Sequence, residues 1–177
     1  MKSLFTTILL ALAAIGHAAD EVKLETIKHR VTGLFEPARA DQLRALFKDH
    51  PKVKLLSLDF TRAEGTFSYD SKTYSNADFG QWMHDRTFQI RSASTTPADK
   101  LTTIEIAVLA LDCRGCAFAM HSFLINQPGV EQAVPNMKEG TIAVLVDPTK
   151  TNQAALEEAL KKREVQLKKP AKADAPK

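Results

Sequence analysis

The chain contains two cysteines, Cys113 and Cys116, and only Arg114 and Gly115 lie between them. A Cys-x-x-Cys pair does one of three things: it holds a soft or borderline cation, it cycles between dithiol and disulfide, or it closes an inert local bridge. Both active chemistries run through the thiolate, which a helix N-terminus stabilises through its free N–H groups and the positive end of its dipole. Asp112 directly precedes the first cysteine. It is either a third, oxygen ligand, which a borderline ion such as Zn(II) favours, or the N-cap of the following helix. Arg114 has opposed effects, since its charge favours ionised thiols and disfavours a bound cation.

The elements that position these residues occur twice. A shift of 77 positions aligns Lys23–Ser92 with Lys100–Lys169 without a gap, and 13 of the 71 pairs counted from Val22 are identical. Hydrophobic pairs also fall in register, among them Leu43/Met120, Phe67/Val144 and Phe88/Val165. Leu101–Leu109 is rich in Thr, Ile and Val, which predicts a strand. Ala117, Met120, Phe123 and Leu124 recur at helical spacing, predicting an amphipathic helix that ends near Pro128-Gly129. Val130–Met137 and Thr141–Val146 read as a hairpin around Lys138-Glu139-Gly140. Thr151 is the expected cap of a second helix carrying Leu156 and Leu160, and Glu164–Leu167 is the expected last strand. The order βαββαβ in about 70 residues predicts an α+β fold, two tandem ferredoxin-like units, each an antiparallel sheet with two helices on one face.

In this setting Ala110-Leu111-Asp112-Cys113-Arg114-Gly115-Cys116 resembles the Gly-Met-Thr-Cys-x-x-Cys signature of heavy-metal-associated domains. Gly129-Val130, thirteen residues beyond Cys116, matches the Gly-Val at the end of that family's first helix. The family includes copper chaperones, periplasmic mercury-binding proteins and N-terminal domains of metal-transporting P-type ATPases. The resemblance implies metal binding by Cys113 and Cys116, with Cu(I) or Hg(II) as ions content with two thiolates. An Asp before the first cysteine is similar to the zinc-, cadmium- and lead-transporting members. It implies Asp112 as a third ligand and a preference for Zn(II), Cd(II) or Pb(II). The chain departs from the signature at Ala110 and Leu111, and Arg163-Glu164-Val165 offers no residue to screen the site.

The first copy carries Glu36 and Arg39 at the positions of the two cysteines. A helix-start ion pair between them is the plain expectation, and Glu36 as a supplementary oxygen ligand the sharper one. His121, His29, His50 and His84 are expected as surface or packed residues, with His121 pointing away from the loop. Trp82, Phe79 and Met83 fit the core face of a helix.

Residues 1–18 read as a secretory signal peptide, with Lys2, an apolar run from Leu4 to Ile15 and cleavage expected after Ala18. The apolar run is shorter than the roughly 20 residues that span a bilayer. The expected organisation is therefore a signal at 1–18, a degenerate unit at 19–91, a linker at 92–99, a metal-binding unit at 100–169 and a disordered tail at 170–177. The formal net charge of +3 falls to +2 without the signal, and no basic stripe interleaved with aromatics suggests nucleic acid. The resulting expectation is an exported, periplasmic or secreted, non-enzymatic protein that scavenges, chaperones or transfers a metal ion, with a metal transporter or membrane-bound acceptor as partner. A thiol-disulfide redox protein and a tandem interaction module with a vestigial metal site are the alternatives.

Overall fold

The computed structural model describes residues 24–70 and 72–168; the signal peptide expected at 1–18 and the tail expected at 170–177 fall outside them. The first unit runs β1 (Glu25–Thr32), α1 (Pro37–Lys48), β2 (Val53–Asp59), β3 (Glu64–Tyr69), α2 (Asn76–His84) and β4 (Gln89–Ser92). The second runs β5 (Thr102–Ala107), α3 (Arg114–Leu124), β6 (Val130–Asn136), β7 (Thr141–Val146) and α4 (Gln153–Lys161). Every paired element begins at the shift of 77. The strand orders are β2-β3-β1-β4 and β5-β7-β6, antiparallel throughout.

Alternation explains the sheets. In β7, Ile142, Val144 and Val146 are buried while Thr141, Ala143 and Leu145 are half-exposed, so one face meets the helices. Leu124, Leu156 and Leu160 join those valines and Ile106 in one core. Val31, Leu43, Phe67, Phe79 and Met83 build the other, with Trp82 packed at its edge as its helical spacing predicts.

Backbone geometry repeats as well. Three pairs at the same shift are left-handed: Gly33 and Ala110 (φ +88° and +55°), Ala63 and Gly140 (+51° and +67°), and Thr87 and Glu164 (+63° and +60°). In two of these pairs an alanine stands where its counterpart is glycine. The fold therefore imposes the turn, and the sequence has not relaxed it.

Several local features differ from or add to expectation. Among the described residues, the last strand is a single bridge between Val108 and Leu167, which follows the left-handed turn at Glu164. Asn152, not Thr151, caps α4, accepting the Ala155 N–H at 3.0 Å. Helix α3 stops at Leu124, before Pro128. The segment after β4 is tied to both units: Ser94 donates to Glu131 at 3.0 Å, Thr96 donates to Asp147 at 2.9 Å, and Arg62 donates to the Thr96 carbonyl at 3.3 Å.

The units meet through the Gly33–Glu36 loop, the counterpart of the cysteine loop. Phe35, which corresponds to Asp112, is buried in the second unit's core and meets Phe118 edge to face. Gln132 donates to the carbonyls of Leu34 and Phe60 at 3.1 and 3.0 Å. Arg30 donates to the carbonyls of Val130 and Ile125 and pairs with the buried Glu131 carboxylate at 3.0 Å.

Candidate metal centre

The site begins with the left-handed turn at Ala110, which swings the chain off β5 and into α3. Leu111 is buried there and anchors the turn. Cys113 takes the N-cap position of α3, and its Sγ accepts the Cys116 N–H at 3.0 Å. A sulfur thus does what a serine or aspartate oxygen does at most helix starts. The cap assignment removes the helix-cap role from Asp112, whose carboxylate lies one residue outside the helix.

Asp112, Cys113 and Cys116 are brought together. One ligand atom from each lies within 4.8 Å of the others, and Cys116 Sγ is 4.0 Å from Asp112 Oδ1. Asp112 and Cys113 are exposed, and Cys116 is half-buried. The two sulfurs stand in disulfide geometry, with a Cα–Cα distance of 5.1 Å. The donor set, two soft sulfurs and a carboxylate, fits a soft or borderline cation once the pair is reduced. Beside Cys116 runs a cleft of about 480 Å³ lined by Val108, Leu109, Leu111, Met120 and Val165.

Arg114, at the first helical position, turns away across the junction between the units. Its guanidinium binds Glu36, with Nε 2.9 Å from Oε1. The expected pair of Glu36 with Arg39 is not formed. Arg39 instead donates to the Gly33 carbonyl at 3.0 Å and to Thr87, and it stacks 3.9 Å above the Phe88 ring. The flat guanidinium fits the Phe88 face and two convergent acceptors better than it fits its helix neighbour. Burial lowers the Arg39 pKa, the Arg114 charge lowers it further, and Glu36 opposes both. Glu36 binds Arg114 and is not part of the cluster of Asp112, Cys113 and Cys116.

The histidines divide. His121 is fully buried, accepting the Gly33 N–H on Nε2 at 3.0 Å and meeting the Ala133 carbonyl with Nδ1 at 2.7 Å. His29 is packed beside Tyr69, His50 accepts the N–H groups of Lys52 and Val53, and His84 is exposed. Sequence reasoning passed over the bond from Arg114 to Glu36. The signal for it lay in the repeat, since the shift of 77 places Glu36 at the position of Cys113.

No protein-family model matches the chain, and no curated protein matches it. Solved structures are similar to it. The N-terminal soluble domains of Bacillus subtilis CopA share 19% identity over 87% of this chain and 99% of that one, with a TM-score of 0.37. The CopZ metallochaperone shares 24% identity over 38% of this chain and all of its own, at 0.36. Oxidized MerP from Ralstonia metallidurans CH34 shares 18% over 38% of this chain and 94% of its own, at 0.36. These neighbours are heavy-metal-associated domains, the family that the second copy resembles in sequence.

Proposed function

We propose that the chain is an exported, non-enzymatic metal-binding protein whose second unit takes up one soft or borderline cation for scavenging or transfer. The observation that carries this reading is the convergence of Asp112, Cys113 and Cys116 at the start of α3. Helix N–H groups and dipole favour the ionised sulfurs, and the exposed side of the loop leaves room for a partner to reach the ion. Three donors of mixed character favour Zn(II), Cd(II) or Pb(II) over Cu(I) or Hg(II). A membrane transporter or membrane-bound acceptor is the natural recipient. No helix of the described residues is long and apolar enough to cross a membrane.

The test is titration of the reduced chain with Zn(II) and Cu(I) under competition with a chromophoric chelator. One ion per chain is expected, and a Cys113→Ser, Cys116→Ser double variant should lose it. Equal uptake by both proteins would remove the reading.

Disulfide geometry at Cys113 and Cys116 favours a second reading, a thiol-disulfide redox protein. Metal-free turnover in an insulin-reduction assay would place it first.

A further inference from the structure

Arg114 holds a permanent positive charge in the sequence position between the two sulfur donors, where it opposes an incoming cation. The structure answers that charge from the other unit. Glu36, half-buried with its side chain 21% exposed, accepts from Nε of Arg114 at 2.9 Å and also binds its terminal nitrogen. It is held there by its own place as N-cap of α1 and by Phe35, locked into the second core. Arg39, the cation at the Cys116 position of the first unit, is already engaged by Thr87, Gly33 and Phe88. Glu36 is the acidic group facing Arg114 among the described ion pairs.

We propose that Glu36, supplied by the first unit, is the positioning residue that makes the cysteine loop receptive to a cation: it draws the Arg114 guanidinium across the junction and neutralises it. The proposal rests on the metal-binding reading for its affinity arm, but not for its redox arm. The first unit thereby takes part in the site without donating a ligand. Its altered residue at the cysteine position is an electrostatic adaptor.

Two measurements test this. The first is Zn(II) affinity of the reduced chain, for wild type, Glu36→Gln, Arg114→Gln and the double variant. Exposed charges a few ångströms apart are worth a factor of a few to about ten. Glu36→Gln should weaken Zn(II) by about three- to tenfold, and Arg114→Gln should hold affinity at or above wild type. The double variant should match Arg114→Gln, and the Glu36→Gln deficit should shrink at high salt.

The second is the metal-free equilibrium with glutathione. The Cys113–Cys116 disulfide gains two electrons and two protons to give the dithiol, while two glutathione thiols lose them and join. An unneutralised Arg114 stabilises the reduced, partly ionised form. Glu36→Gln should therefore shift the equilibrium constant toward the dithiol by about three- to tenfold, or ~15–30 mV, with Arg114→Gln shifting it the other way. Wild-type values for Glu36→Gln in both measurements would overturn the proposal while leaving metal binding intact. If no variant binds metal and the redox shift still appears, metal binding falls and the role of Glu36 stands. Should Glu36→Gln fold poorly, Glu36→Asp, which keeps the charge, and Arg114→Gln decide the matter: loss of affinity in Arg114→Gln overturns the proposal.

Discussion

His121 of the second unit accepts a hydrogen bond from the backbone N–H of Gly33 in the first, at 3.0 Å. Gly33 N only donates and Ala133 O only accepts, so the partners require a neutral ring with its proton on Nδ1. Protonation would set a second N–H against the Gly33 N–H. The side chain is 1% exposed, and burial pushes its pKa down to about 4.

This sets a pH dependence. Unfolded, His121 takes up its proton near pH 6.5, and folded it resists until about pH 4. Its contribution is fully present above pH 6.5 and is lost as pH falls toward 4, by ~3 kcal/mol. His29 and His50, also lowered chiefly by burial, push in the same direction. Denaturant melts from pH 7.5 to 4.5 should therefore show a steeper acid loss in wild type than in His121→Gln. Parallel curves would remove His121 as the cause.

Ala110 occupies a left-handed turn that glycine fills in the first unit. Ala110→Gly should raise stability by up to ~1 kcal/mol. Gly33→Ala should lower it by ~2 kcal/mol or more, because a Cβ there would lie 2.6 Å from the Thr87 carbonyl oxygen. Thermal unfolding of the two variants should move in opposite directions.

The pair of Arg30 with Glu131 is largely buried, its side chains 14% and 9% exposed. Glu131→Gln leaves Arg30 without a countercharge and should cost ~3 kcal/mol. Because this pair lies between the units, loss should also separate their unfolding into two calorimetric transitions. A single unshifted transition would contradict this assignment.

Asp112 is free of the cap role, so its carboxylate is available to an ion. In Asp112→Thr, Zn(II) affinity of the reduced chain should fall about tenfold, while Cu(I), content with two thiolates, should be nearly unaffected. Competition titrations decide it: equal changes for both ions would leave Asp112 outside the ligand set.

The repeat was legible because hydrophobic periodicity survives divergence. Leu43/Met120 and Phe67/Val144 change identity yet keep the same inward positions, so element order and the cysteine junction could be read from sequence. Local chemistry was less legible. A sulfur cap at Cys113 competes with the more usual Asp112, and Asn152 competes with Thr151; propensity ranks these candidates without placing the turn. What lay beyond sequence was the junction between units. Arg39 reads as a partner for Glu36 three residues earlier, yet the face of Phe88 and the acceptors on Thr87 claim it, which leaves Glu36 to Arg114. Besides the repeat, which sets Glu36 at the position of Cys113, the aromatic at position 35 gave a hint, since a phenylalanine at a metal-loop position is suited to burial.

The contact between the units joins unlike surfaces, a loop of one to the helix and strand of the next. Such head-to-tail contacts are open-ended in principle, and a third unit would extend the row. The outer faces do not repeat the contact. On the first unit, the shift of 77 puts Arg44 and Lys54 where the second presents His121 and Glu131; on the second, Ala107 replaces Arg30. A preceding copy would meet two cations in place of a neutral ring and a carboxylate, and a following copy would find no guanidinium to anchor it. Charge reversal at one end and side-chain truncation at the other disfavour extension of the row through this joint, in the manner of terminal caps.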